Sequence, residues 1–258
     1  MGACSESDGI RSTPIGGLKL VSDIGVGVDR IGVVVPVHNE QDTLRECLKA
    51  LLIAASRVSV PVTIVVVLDA CHDASAIVVQ HFRSVHLQMI AVDAHCVGAA
   101  RAAGMAEVPA QQGHSGTWLA TTDADSVVPP HWLSAQLQHA RSGALVVAGT
   151  VTVEDWQDHS LGLAERARRD YQATPHRHIH GANLSFSAHA YRRAGGFRPV
   201  QHDEDVSLVE AFNANSEPVV WATDLAVTTS ARRNGRAPRG FAGYLSALEH
   251  SMKGSIGA

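Results

Sequence analysis

The sequence predicts an α/β fold with a mostly parallel central sheet covered by helices on both faces. Three observations carry this. Apolar, β-branched runs recur at residues 31–37, 62–68, 87–92 and 117–122. Segments with helical spacing or Ala-rich composition separate them. The runs are continuous rather than alternating, as in strands buried on both sheet faces. A β-α-β-α order with such strands implies a parallel sheet.

The elements follow in order. Residues 1–30 are rich in Gly and Ser with weak patterning and read as a tail. Strand 31–37 stops at His38-Asn39-Glu40. Asp42-Thr43 stands where a helix cap belongs, before a helix over 44–56 with Leu44, Leu48, Leu51 and Leu52 on one face. Strand 62–68 ends in Asp69, and 75–83 has helical spacing. Residues 87–92 form a third strand and 98–106 an Ala-rich helix. Strand 117–122 closes on Asp123. The second half is less regular: a strand over 144–153, a helix over 160–171, a His-rich loop over 174–180 and a strand over 182–187. A short helix over 188–194, a Gly195-Gly196 turn, a helix over 205–213 and a strand over 219–222 follow. A basic loop over 231–240 leads to a closing helix over 241–252.

Bulk properties narrow the function classes. A chain of 258 residues suits one large domain, and 45% hydrophobic with 18% charged residues supports a packed core. A net charge of −4 argues against nucleic-acid binding. The four cysteines, Cys4, Cys47, Cys71 and Cys96, have no zinc-site spacing and read as reduced cytoplasmic thiols. No apolar stretch approaches the roughly 18 residues of a membrane span. Residues 1–9 lack the apolar core of a signal peptide. A soluble cytoplasmic protein is expected, and peripheral membrane association leaves no mark on these numbers.

Ligands of such sheets bind outside the carboxyl ends of the strands. Asn39, Glu40, Asp69, Asp123 and Asp125 all sit at those ends. Asp123-Ala124-Asp125 is the sharpest signal. Two carboxylates one residue apart at the end of a buried strand suit a hard divalent cation that also binds a diphosphate. The helix cap with a solvated loop acid is the plain alternative. Arg232, Arg233 and Arg236 suit diphosphate oxygens. A dinucleotide-dependent oxidoreductase is disfavoured, because no GxGxxG follows the first strand.

Five segments in order carry a resemblance: Pro36-Val37-His38-Asn39-Glu40; Leu68 through Ser75; Asp123-Ala124-Asp125; Gly181-Ala182-Asn183, then Tyr191 through Gly195-Gly196-Phe197, then Glu204-Asp205; and Ser230 through Arg236. Over residues 31 to about 240 the chain resembles the family 2 glycosyltransferases of the GT-A fold. The resemblance implies a single GT-A type Rossmann-like domain, with a nucleotide-sugar-binding half over 31–150 and an acceptor-binding half over 151–258. It implies a hexosyltransferase-like enzyme with a UDP- or GDP-type donor and Mg²⁺ or Mn²⁺. Pro36, His38 and Glu40 would form the first nucleotide-binding loop, and Asp69 would accept a hydrogen bond from the base. Asp73 would cap the next helix. Gly98 and Arg101 would pass near the ribose and diphosphate. Asp125 would ligate the metal directly, with Asp123 beside it and Ala124 between them. Asp205 would be the catalytic base of an inverting transfer, with Glu204 second. Trp156, His180, Gly181 and Asn183 would face an acceptor whose identity the sequence leaves open.

The chain departs from the family pattern in two places. Leu68 replaces an acid, and Ala70-Cys71 replaces a Gly-Ser turn. A late His that some relatives give the metal is missing, and Thr228-Thr229-Ser230-Ala231 stands there. The cation then has one ligand fewer, or takes one from His176, His178 or His180. A nucleotidylyltransferase-like enzyme and a degenerate nucleotide-sugar-binding module are the competing readings.

Overall fold

A computed structural model describes residues 27–109, 116–154, 156, 159, 161–171, 176–230, 245 and 248–250. In chain order the elements are β1 (Arg30–Val37), α1 (Leu44–Ala55), β2 (Val62–Asp69), α2 (Ser75–Gln80), β3 (Leu87–Val92), α3 (Val97–Glu107), β4 (Thr117–Thr121) and β5 (Ser126–Val127). Then come α4 (Trp132–Arg141), β6 (Val146–Thr152), α5 (Leu161–Tyr171), a 3-10 turn (Gly181–Asn183), β7 (Leu184–Ser187), α6 (Ala188–Arg193), α7 (Glu204–Ala214) and β8 (Val219–Thr229). Among the described residues no helix is long and apolar enough to cross a membrane.

The strands form one 8-stranded sheet in the order β3-β2-β1-β4-β7-β6-β8-β5. β1, β2, β3 and β4 pair in parallel, as do β6 and β8. β7 runs antiparallel to both β4 and β6, and β5 antiparallel to β8. Side chains alternate between two cores. Val33, Val35, Ile64, Val66, Trp118 and Ala120 join one with α1 and α4. Val34, Val65, Val67 and Leu119 join the other with α3 and α7. That two-sided burial is why the strands read as continuous apolar runs rather than alternating ones.

Pro36 ends the β1–β4 ladder at Val34 opposite Thr121, because the next bond would need an N–H at residue 36. The N–H of Ile31 points to β2 at the Pro61 carbonyl, 2.9 Å away, so even-numbered positions face β4. The last β4-side bond joins Thr122 N–H to the Val34 carbonyl at 3.3 Å, and Pro36 lies beyond it.

The structure adds elements that sequence reading passed over. Helix α4 buries Trp132, Leu133, Gln136, Leu137 and Ala140 on one face. Gln136 accepts from the Trp118 indole at 3.1 Å, which ties α4 to β4. β8 extends seven residues past the expected end at 222, to Thr229. Its register with β6 jumps, from Gly149 opposite Ala222 to Thr150 opposite Ala226. β3 is the sheet edge and is half exposed, with Met89 39% accessible.

Ala70, where relatives carry a turn glycine, takes φ +48°. That conformation costs a side-chain-bearing residue about 1–2 kcal/mol. Ala70→Gly should therefore raise stability by about 0.5–1 kcal/mol in urea unfolding, net of the greater freedom of the unfolded chain. An unchanged or lower midpoint would show that the turn is unstrained.

Candidate active site

The carboxyl ends of β1, β2 and β3 carry three left-handed residues, Asn39 (φ +55°), Ala70 (φ +48°) and His95 (φ +47°). They let three loops fold over one edge and lock together. Glu40 N–H donates to Ser75 Oγ at 2.9 Å, Gln41 N–H to Asp73 Oδ2 at 2.9 Å, and His72 N–H to Asn39 Oδ1 at 2.7 Å. Asp73 also accepts Ser75 N–H at 2.9 Å, so it braces the start of α2. His38 Nδ1 donates to the Asp69 carbonyl at 2.7 Å, because a carbonyl only accepts. Its Nε2 is therefore an acceptor on an exposed ring. Glu40 is buried, and its carboxylate accepts from Thr43 Oγ1 at 3.0 Å.

Asp69 is occupied within the protein. Its carboxylate accepts the backbone N–H groups of Ala94 (2.7 Å), His95 (2.9 Å) and Cys96 (2.9 Å). A carboxylate has about four acceptor positions, so about one remains for a base. Asp69 thus builds the loop before α3.

Asp123 and Asp125 lie in a tight turn between β4 and β5, closed by Ser126 N–H to the Asp123 carbonyl at 3.1 Å. Ala124 between them is buried. Ser126 Oγ reaches Asp125 Oδ1 at 3.5 Å and Thr229 Oγ1 at 3.1 Å. The stretch that lacks the late His thus comes back to the carboxylate turn, through the β5–β8 pairing, and offers a hydroxyl there. The surroundings are electronegative. The Cys47 thiol is pushed up, first by burial and then by Asp125, Asp123 and Glu40. Hard oxygen donors in a negative potential fit Mg²⁺ or Mn²⁺, which take one or two carboxylates and leave the rest to phosphate and water. Among the described residues no cluster of three or more His, Cys, Asp or Glu side chains has metal-holding geometry. His176, His178 and His180 are instead stacked on one another, with ring centroids 6.2 Å apart at each step.

The resemblance sets Arg101 against the ribose or diphosphate; the structure shows its guanidinium bonded within the protein. Arg101 is only 3% exposed. Its Nε donates to Thr121 Oγ1 at 3.2 Å, Nη2 to Asp123 Oδ1 at 2.6 Å, and Nη1 to Glu204 Oε1. The Phe197 ring lies 5.7 Å from its guanidinium carbon. Arg101 joins the end of β4 to the start of α7. Gly98 is a close-approach residue: a Cβ there would collide with the Arg198 carbonyl of the segment before α7.

Asp205 is half-buried in the first turn of α7 and accepts Gly181 N–H at 2.7 Å and Val206 N–H at 2.8 Å. Burial raises its carboxyl above the ordinary range, against the pull of Arg101 and the two backbone donors. Burial raises Glu204 too, with Arg101 opposing. Glu204 is 5% exposed and bound to Arg101, so it faces inward. Gly181 is required by contact: a Cβ there would run into the Arg101 guanidinium.

Two expected acceptor residues have bonding roles inside the protein. Asn183 is 1% exposed, and its amide is taken up by the protein. Nδ2 donates to the carbonyls of Thr150 and Leu225, both at 2.8 Å, and Oδ1 accepts from the Trp132 indole at 2.9 Å. Asn183 satisfies carbonyls at the β6–β8 register jump. Gly181 orients Asp205 through its backbone. Trp156 packs beside Leu163, Ala167, Leu245 and Leu248 and donates to the Val153 carbonyl at 3.0 Å. Arg232, Arg233 and Arg236 lie outside the described residues. Thr121 escaped sequence reading, since nothing local marks an apolar-run threonine as a partner of a distant arginine.

His180 is pushed down to about 4, first by burial and then by His178 and His176; His176 is lowered by the same cause. An unfolded His titrates near 6.5. Between pH 6.5 and 4 the unfolded chain gains a proton that the native His180 refuses, so stability falls as pH falls. The contribution is on the order of 3 kcal/mol. Glu204 and Asp205, both raised, act in the opposite sense. The measurement is therefore a difference: His180→Gln should flatten the loss of stability between pH 6.5 and 4 relative to wild type. Parallel pH curves would exclude His180.

The fold matches known proteins. The family model described as Glycosyl transferase family 2 matches residues 32–195. Sequence comparison with curated proteins gives no match. Among solved structures, S. aureus TarS 1–349 in complex with UDP-GlcNAc superposes with TM-score 0.65 at 13% identity, covering 82% of this chain and 61% of that one. The mannosyltransferase PcManGT from Pyrobaculum calidifontis, in complex with GDP-Man and Mn²⁺, gives TM-score 0.58 at 19% identity, covering 82% and 60%. The chain thus spans about three fifths of the length of either structure. The shared GT-A architecture and a family pattern running from within β1 to the turn after α6 agree on one assignment: the chain belongs to glycosyl transferase family 2.

Proposed function

We propose that this chain moves a sugar from a nucleotide-diphosphate donor to an acceptor hydroxyl, with inversion at the anomeric carbon. One observation carries the reading most: Arg101 bonds both Asp123, which shares its turn with Asp125, and Glu204 at the start of α7, while Gly181 packs against its guanidinium and donates its N–H to Asp205. Donor-side and acceptor-side carboxylates therefore share one site. The ligands of the solved relatives, UDP-GlcNAc in TarS and GDP-Man with Mn²⁺ in PcManGT, support a UDP- or GDP-type donor with a divalent cation.

In this reading residues 31–150 hold the donor and residues 151–258 face the acceptor. Asp125 and the outer oxygen of Asp123 would hold Mg²⁺ or Mn²⁺, which when bound neutralises charge on the departing diphosphate. The remaining work falls to the chain itself. The β1 and β2 end loops cradle the base, with His38 Nε2 as an acceptor. Asp205 takes the proton of the acceptor hydroxyl as that oxygen attacks from the face opposite the diphosphate. Its raised affinity for protons suits this role at neutral pH. The free thiols of Cys47, Cys71 and Cys96 suit a reducing, cytoplasmic setting.

The test is thermal denaturation with UDP or GDP, with and without Mn²⁺. A ligand at 100 times its Kd adds about 2.7 kcal/mol of stability. A metal-dependent rise with one of the two nucleotides is expected. No rise with either would sink the donor assignment.

A further inference from the structure

Building on that donor–acceptor reading, we propose that Arg101 is a positioning residue coupling the two halves of the site. Through it, Glu204 sets how much of the Asp123 charge is available to a donor-bound cation. The network has one guanidinium charge and two directly bonded carboxylates, Asp123 on Nη2 and Glu204 on Nη1. Arg101 stays charged, with Asp123, Glu204 and Asp205 all favouring its cation against the cost of burial. Its other directions are closed. Thr121 takes Nε, Phe197 covers the guanidinium, and Gly181 packs so closely that no Cβ fits. The cation is therefore shared between two fixed partners. The partners differ in exposure: the Asp123 side chain is 38% accessible, the Glu204 side chain 7%.

This asymmetry gives the coupling a direction. Burial weakens screening, so Glu204 holds a large part of the Arg101 field. The exposed Asp123 keeps the surplus negative charge, on the side where a cation is held. Removing the Glu204 charge turns the whole guanidinium field on Asp123 and makes that carboxylate a poorer cation partner. Glu204 thus acts on the donor side without touching the donor, and it sits one residue from Asp205. A change on the acceptor side is transmitted to donor affinity, and by reciprocity a bound donor alters the field at Asp205.

Glu204→Gln is the informative variant, because the amide oxygen still accepts from Arg101 and only the charge is lost. Binding of UDP and of GDP is measured by calorimetry for wild type and variant, each with and without Mn²⁺. The expected result is a Mn²⁺-dependent affinity about five- to tenfold lower in E204Q, at the weak end of ordinary site-to-site coupling. Metal-free nucleotide binding should be unchanged. In an Arg101→Lys background, where one ammonium replaces the two-pronged fork, E204Q should have less than about a twofold effect. A merely structural role for Glu204 lowers both kinds of binding together, and that outcome overturns the proposal. So does wild-type Mn²⁺-dependent affinity in E204Q, or a full E204Q effect in the R101K background. If R101K does not fold, the selective loss in E204Q alone decides. Wild-type binding that ignores Mn²⁺ overturns the coupling and leaves nucleotide binding intact. Wild type that binds neither nucleotide removes the donor reading and this inference together.

Discussion

Asp205→Asn should lower sugar transfer by about 10²- to 10⁴-fold, the usual contribution of a positioned general base. The asparagine carboxamide oxygen can still accept Gly181 N–H, so the strap at 181 and the first turn of α7 stay in place. Nucleotide binding should be retained, because the proposed reading puts Asp205 on the acceptor side. Stability at pH 7 should be equal or slightly higher. Burial raises the Asp205 carboxyl in the native state, so its stabilising contribution belongs to low pH and is lost as pH rises through its native value. At pH 7 the ionised group is a burden on the fold that asparagine relieves. Transfer is read with the donor and acceptor found for the wild type, or as donor hydrolysis if no acceptor is in hand. A variant that loses nucleotide binding along with turnover would move Asp205 from the base to the donor site.

Asp125→Asn should remove the metal-dependent part of nucleotide binding. Asp125 is anchored by Ser126, itself bonded to Thr229, and it is one of only two carboxylates in the turn. The other, Asp123, already has one oxygen on Arg101. A cation held by so few protein groups depends heavily on each. Loss of an outer-sphere partner alone typically costs about 10- to 100-fold in metal affinity, so loss of a direct ligand should cost at least that. Calorimetry with Mn²⁺ and nucleotide checks it, with metal-free binding as the internal reference. Equal Mn²⁺-dependent affinity in D125N would place the cation elsewhere or remove it from the mechanism.

The sheet core was legible because its signal is local. The runs at β1, β2 and β4 are buried on both faces, so their central positions are apolar and the pattern needs no partner to be read. Asp123 and Asp125 were legible for the same reason: charge directly after a buried strand is conspicuous. Helix α4 was harder to see. Its buried face includes Gln136, a polar residue that belongs there only because the Trp118 indole meets it. The far half of β8 was also hidden. Thr223 and Asp224 interrupt its apolar run, and the register jump opposite Gly149 and Thr150 keeps the strand paired past them. That jump in turn explains Asn183, whose amide caps carbonyls freed at the irregularity. A motif position that suggested acceptor contact is thus a buried bond-maker.

Taken alone, the sequence determined the strands of the first half and the helices between them, and it pointed to the strand ends, with their acids, as the place for a ligand. These follow from short-range pattern: burial dictates apolar runs, and strand ends are where polar groups regain water. Only the tertiary structure decided which of those groups bond one another. Arg101, Asp123 and Glu204 are separated by up to 103 residues, and their bonds exist because α3, β4 and α7 meet at one point. A buried charge must find a partner wherever the fold brings one, and no local pattern announces which carboxylate that is.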